Sequence, residues 1–130
     1  MSTFISNFKT IINADPSINA LITGEIRLSH LEIDYDISKS WLVWDYKVLT
    51  QTDTLSKNNC FTEYSIPMTI TAPDSVVMNN ICDLVINYLN NKTTTHFPDI
   101  HLVSDSKTTV LSRQTNAYQN SLEFNAIYVG

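Results

Sequence analysis

Residues 118–130 alternate apolar and polar side chains along almost their whole length. Leu122, Phe124, Ala126 and Tyr128 fall on one side, and Ser121, Glu123 and Asn125 on the other. Successive side chains of a strand point to opposite faces, so a period of two over this length specifies a strand with one face buried and one in water. The strand runs almost to the last residue, so the C-terminal end is expected inside a sheet and not in a loose tail. Upstream, Pro73 and Asp74 open a helical stretch. Together these elements predict an α+β fold, a mainly antiparallel sheet with an N-terminal helix and a central helix packed on it. Such a domain has few places for an active site and much edge and rim to offer a partner.

The N-terminal helix is read from Phe4, Ile5, Phe8, Ile11 and Ile12, which form one stripe at the helical period. Ser2 or Thr3 can cap it. Pro16 stops it by disfavouring the helical conformation at Asp15. Ser17 to Leu21 allow a further short helical turn, which Thr23 and Gly24 break. Glu25 to Ile33 read as a strand with Ile26 and Leu28 on one face, and residues 34–40 as a connection. Trp41 to Leu49 form a strong strand whose core face would be Leu42, Trp44, Tyr46 and Val48. A ten-residue polar loop, Thr50 to Asn59, is longer than the usual hairpin connection. Cys60 to Thr71 return as a strand with Cys60, Tyr64, Ile66, Met68 and Ile70 on one face. Pro67 has no N–H to donate and predicts an edge position or a bulge.

Asp74 is the expected N-cap of the central helix. Its buried stripe would be Val77, Ile81, Leu84, Val85 and Tyr88 or Leu89, ending near Asn90 and Asn91. Lys92 to Thr95 form a loop anchored by Phe97 and Pro98. Ile100 and Leu102, with Val103, start another strand. Asp105 to Lys107 look like a turn, Thr108 to Leu111 pair as a short strand, and Ser112 to Ala117 lead into the last one. No repeat, linker or low-complexity stretch divides the chain, so residues 1–130 are expected to be one domain. A chain of this size buries roughly two-thirds of its unfolded surface.

Composition excludes several activities. The chain holds only two glycines, Gly24 and Gly130, so it has no glycine-rich phosphate loop and no Gly-x-Ser-x-Gly nucleophile elbow. A net charge of −5 opposes affinity for nucleic-acid phosphates, which needs clustered Lys and Arg. No apolar run approaches the ~18 residues of a membrane span, and the first residues carry no positively charged leader. Asn91 to Thr93 match a glycosylation sequon of a kind that arises by chance.

The remaining candidates for chemistry are weak. Cys60 and Cys82 are not in metal-ligand spacing and read as buried small hydrophobes in a reducing compartment. His30, His96 and His101 include no pair one helical turn apart, so exposed or capping histidines are expected. Glu32, Asp34 and Asp36 share one side if extended, which reads as a solvated acidic edge. Trp41, Trp44, Tyr46, Phe61 and Tyr64 could stack on single-stranded bases, but only Lys47 and Lys57 lie near, so a core aromatic cluster is the expected role. No catalytic residue, metal ligand or cofactor site is expected. A Ser-His-Asp arrangement assembled in space stays open. The Thr50–Asn59 loop and the Ser104–Ala117 segment are the functional candidates, since long loops in a compact domain usually contact something.

The order of the elements resembles the tail terminator, or tail completion, family of tailed bacteriophages. Four pieces carry the resemblance: the first helix with residues Ala14 to Ile26, the hairpin of Trp41–Leu49 and Cys60–Thr71, the helix directly after Ala72, Pro73 and Asp74, and the closing stretch Tyr118 to Tyr128. The resemblance implies a structural virion protein and not an enzyme, with no cofactor. It implies a homo-oligomeric ring, a hexamer, that caps the head-proximal end of the tail tube and ends its polymerisation. Its partners would be further copies of itself, the tail tube protein and the head connector or stopper protein. DNA would be only cargo in the lumen, and no membrane would be involved. Assembly would take place in the host cytoplasm. Thr52, Asp53, Thr54, Lys57, Asn58, Asp105, Lys107, Arg113 and Gln114 are the interface residues this reading selects from the two segments. Another head–tail connector component, and more distantly a small enzyme, are the alternatives.

Overall fold

The computed structural model describes residues 2–28, 38–52, 61–107, 109–112 and 117–129. Helices α1 (Ser2–Ile12) and α2 (Pro16–Leu21) come first, and α3 (Ser75–Leu89) lies in the middle of the chain. The strands are β1 (Ile26–Leu28), β2 (Trp41–Trp44), β3 (Lys47–Thr52), β4 (Phe61–Ala72), β5 (Asp99–Asp105), β6 (Thr109–Ser112) and β7 (Ala117–Val129). They form one sheet in the order β1-β2-β4-β7-β5, with β3 also pairing β4 and β6 also pairing β7. Every pairing is antiparallel except β1 with β2. The fold is α+β, as its sequence predicts.

The spine is the β4–β7 ladder, which runs from Phe61↔Val129 to Ala72↔Tyr118 without a shift. Leu122, Phe124, Ala126 and Tyr128 are buried, as the alternation requires, and Asn120 joins them. From β4, Tyr64, Ile66, Met68 and Ile70 face the same side. All three helices cover this side. Phe4 and Phe8 of α1 reach Tyr64, Trp44, Phe97 and Tyr128, so Trp44 and Tyr64, with Tyr46 beside them, join a core aromatic cluster, whereas Phe61 is exposed and Trp41 lies outside the core, contrary to expectation. Asp15 caps α2 at its start, where Pro16 costs no hydrogen bond.

Asp74 caps α3 as expected, its Oδ1 accepting from Val76 N at 2.7 Å and Val77 N at 3.3 Å. The buried stripe is centred elsewhere than the sequence suggests. Met78, Ile81, Cys82, Val85 and Leu89 are buried, while Val77, Leu84 and Tyr88 are half-buried at its margins. A wide apolar face leaves its centre undecided by about one residue, and packing on the sheet fixes it.

Several expectations are corrected. Trp41 to Leu49 are not one strand: the ladder opposite β4 breaks at Asp45 and Tyr46 and resumes in the same register, from Trp44↔Met68 to Lys47↔Ser65. Pro67 stands opposite the break. Its carbonyl accepts Asp45 N at 3.0 Å, but it has no N–H to return. Pro67 therefore lies in a central strand, not at an edge, and the interruption falls on its neighbour. Val48 does not join the core. It is 41 % exposed, lying on the core-facing side but beyond the cover of the helices. Thr50 to Thr52, expected as loop, extend β3 opposite Glu63, Thr62 and Phe61. Within the Ser104–Ala117 segment the first residues end β5, and the short strand expected at Thr108–Leu111 is present as β6, Thr109–Ser112. Val103, expected to open a strand, is a bulge residue inside β5 and half-exposed. Ser2 lies inside α1, not ahead of it. Residues 29–37, with His30, Glu32, Asp34 and Asp36, and residues 53–60, with Cys60, lie outside the described residues.

Candidate functional site

Three parts of the surface could meet a partner: the open face of the sheet, the β5–β6 turn, and the free strand edges. The open face arises directly from the alternation. With the helices on one side, the odd-numbered residues of β4 and β7 turn outward. The strand registers place Lys47, Ser65, Asn125 and His101 in one row across it. The neighbouring row is Thr50, Glu63, Ile127 and Asp99, and the next holds Pro67, Glu123 and Ser104. Ser65 Oγ donates to Glu123 Oε2 at 2.9 Å, and Thr50 Oγ1 to Glu63 Oε1 at 3.3 Å. His101 Nδ1 is 2.8 Å from Asp99 Oδ2. These rows carry three carboxylates against one lysine. Such a face is polar enough to stay in water and negative enough to repel phosphates. On it, Asn125 Oδ1 and Thr71 Oγ1 are buried acceptors with no partner among the described residues.

The β5–β6 turn is fastened, not loose. Lys107 sits at φ 67°, in the left-handed region. Asp105 Oδ1 accepts Lys107 N at 2.9 Å, and Oδ2 accepts Lys107 Nζ at 3.3 Å. Ser106 N donates to Ser121 O at 3.0 Å, and Ser121 N returns a bond to Ser106 Oγ at 3.0 Å. Beneath them, buried Asn120 donates to Cys82 Sγ at 3.2 Å and accepts from Ser106 Oγ at 3.3 Å. Partial burial pushes the Asp105 carboxyl up, but Lys107 N–H, the Asn120 amide and the Lys107 ammonium outweigh it, so its pKa is lowered. Burial pushes the Cys82 thiol up to about 11, against a smaller opposing effect from Asn120. Cys82 is thus a protonated core residue, with none of the thiolate character of a nucleophile.

Of the interface residues selected from sequence, the structure brings Asp105 and Lys107 together in this turn. Thr52 ends β3 at the opposite end of the sheet. Asp53, Thr54, Lys57, Asn58, Arg113 and Gln114 lie outside the described residues. Sequence reasoning missed the open face. The signal for it was the polar half of the β7 alternation, which has no helix left to cover it.

Other chemistry is sparse. A shallow pocket of about 220 Å³ lies between α1 and the loop after α3, lined by Asn7, Thr10, Ile11 and residues 94–97. Its polar groups are largely engaged: Asn7 Nδ2 donates to Tyr128 OH at 3.0 Å, and His96 Nδ1 is 3.2 Å from Val129 O. His96 and His101 therefore serve different neighbours. Among the described residues no group of three or more His, Cys, Asp or Glu could hold a metal ion, and no helix is long and apolar enough to cross a membrane.

No protein-family model matches the sequence, and no curated protein matches it. Its fold does match a solved one. A chain from a structure described as the virion of a native gene transfer agent particle superposes with a TM-score of 0.61 at 10 % identity, covering 94 % of this chain and 91 % of that one. At that identity the likeness is one of fold, and it extends over nearly the full length of both chains.

Proposed function

We propose that this chain is a structural protein of a phage-like virion, and within it the tail terminator: a single domain that closes into a ring of six copies on the head-proximal end of the tail tube. There it would stop tube polymerisation and present a surface to the head connector or stopper protein. The observation that carries the reading is the likeness in fold, over nearly the whole chain, to a chain of a gene transfer agent virion. The open sheet face supports it. A ring through which DNA passes needs a wall that does not hold phosphates, and a net-acidic polar face supplies one.

The test is made on particles. Deleting the protein should give tails of uncontrolled length, or filled heads without tails. Labelled protein should appear at the head-proximal end of purified tails. Tails of normal length joined to filled heads in its absence would refute the assignment. Labelling at the connector side of tail-less heads would favour the other reading, a stopper or adaptor with the same fold.

A further inference from the structure

Two of the strands with an open edge, β3 and β6, are counterparts of one another. Each pairs with a single long strand, β3 with β4 and β6 with β7, and lies off the main strand order. Each contains the run Val-Leu followed by a hydroxyl residue: Val48, Leu49 and Thr50 in β3, and Val110, Leu111 and Ser112 in β6. Each has a register shift at the leucine of that run. In each the valine stands opposite a tyrosine, Val48↔Tyr64 and Val110↔Tyr118. Across the spine each tyrosine faces an alanine, Tyr64↔Ala126 and Tyr118↔Ala72. A two-fold axis through the central pair Met68↔Leu122, normal to the sheet, exchanges the two hairpins.

This local symmetry puts β3 and β6 at diagonally opposite corners of the sheet. The other two corners carry further pairing. At one, Asn91 N donates to Ile100 O at 2.7 Å and Leu102 N to Asn90 Oδ1 at 2.9 Å, so the end of α3 covers the edge of β5. At the other, β1 pairs along β2 and ends the sheet as an edge strand of three residues that carries Arg27. Among the described residues nothing pairs with the outer edges of β3 or β6. Valines there are exposed, Val48 at 41 % and Val110 at 49 %. Edge strands are ordinarily protected by charge or proline. Here, in a chain of net charge −5, neither strand carries a carboxylate and Lys47 is the one charge between them. These two edges therefore add no carboxylate to a contact between two copies of this acidic chain. The bulge at each leucine strengthens the local twist, which a flat strand cannot match and a strand with the same bulge can.

We propose that β3 of one copy adds to β6 of the next, continuing the sheet from subunit to subunit. The occupant of each edge is thus a second copy of this chain. The head-to-tail sense rests on the ring reading above, because closed rings need two different patches on each subunit. As neighbours in one sheet the two strands run antiparallel. The corners are offset along the strands, so a closed ring would carry its strands tilted to its axis, as barrels do.

The experiment uses purified full-length protein with Cys60→Ser, over micromolar to millimolar concentration, and a short bismaleimide cross-linker. The double variant Val48→Cys/Val110→Cys should give a ladder of cross-linked species beyond the dimer. Each single variant should give none. Dimers from Val48→Cys alone would show a β3–β3 contact and overturn the head-to-tail pairing. Absence of cross-linking in all three, with native circular dichroism, would overturn the proposal and leave the virion reading to its own test on particles. As a second measurement, Val48→Lys mixed with Val110→Lys should form dimers by native mass spectrometry, while each alone stays monomeric.

Discussion

The ring of Phe4 lies on the ring of Tyr64, with centroids 3.8 Å apart and planes 14° from parallel. This contact ties the first turn of α1 to the middle of the sheet. Phe4 also meets Phe8, Tyr46, Phe97 and Tyr128. Three parts of the chain far apart in sequence thus converge on one side chain that is 1 % exposed. Phe4→Ala should cost about 3–5 kcal/mol, since it removes a large buried ring and leaves a cavity. Urea unfolding followed by circular dichroism checks this. A loss below about 1 kcal/mol would mean that α1 is dispensable to the core.

Gly24 precedes β1 where a side chain has no room. A Cβ there would come within 2.6 Å of two ring carbons of Trp41 and 2.8 Å of Ser40 O. Gly24 N also donates to that carbonyl at 2.8 Å, which fixes the approach. Gly24→Ala should therefore destabilise by roughly 1–3 kcal/mol, the usual cost of forcing atoms into filled space. A melting curve unchanged from wild type would show that Trp41 moves freely out of the way.

How much of this was legible beforehand follows from which forces are local. The β7 strand, the α3 cap and the aromatic core were readable because periodicity and capping act within a few residues. The division of Trp41–Leu49 was not, because its cause is Pro67, which matters only once β2, β3 and β4 pair. The usual rule, that a missing donor faces solvent or a bulge, places Pro67 at an edge or a bulge. It can also face a break in the neighbouring strand. Parity places Val48 on the core face, but parity says nothing about where the helices end. The candidate interface was legible only as length of polar chain. Its geometry, two matched free strands, depends on a symmetry between segments far apart in sequence.

Asp105 gives the protein a definable acid dependence. Its pKa is lowered in the folded state, so it contributes stability above its unfolded value, and that stability is lost as pH falls through the folded value. Asp105→Asn should lower stability at neutral pH and flatten the acid limb of the stability profile between those two values. Denaturant melts from neutral pH down to pH 2 would show it. Parallel profiles for the two proteins would place the acid sensitivity on other carboxylates.

Cys82 should report opening of the core. Its thiol, pushed up to about 11, is protonated and buried at pH 8. The sign of the linkage is opposite to that of Asp105: its contribution holds below the unfolded thiol value and fades as pH climbs toward the folded one. In a Cys60→Ser background, iodoacetamide at pH 8 should label the native protein far more slowly than the urea-unfolded chain. The native rate should rise in step with the destabilisation caused by Phe4→Ala. Rapid labelling of the stable wild type would mean that α3 detaches locally from β7.

The open sheet face yields the sharpest test of what the ring would do with DNA. Glu63, Glu123 and Asp99 point from it beside one lysine, Lys47. Wild-type protein should therefore show no sub-micromolar affinity for duplex DNA at physiological salt, by fluorescence anisotropy. Glu63→Lys/Glu123→Lys changes the charge of this face by four units in the basic direction. It should create duplex binding that weakens steeply with salt, because each neutralised phosphate releases condensed counterions. Its fold should survive, since both side chains lie on the side away from the helices. If the face lines the channel, particles built with this variant should assemble and release their DNA slowly. Release at the wild-type rate from particles that contain the variant would move the face off the DNA path. Tight duplex binding by the wild type would remove the argument from charge altogether.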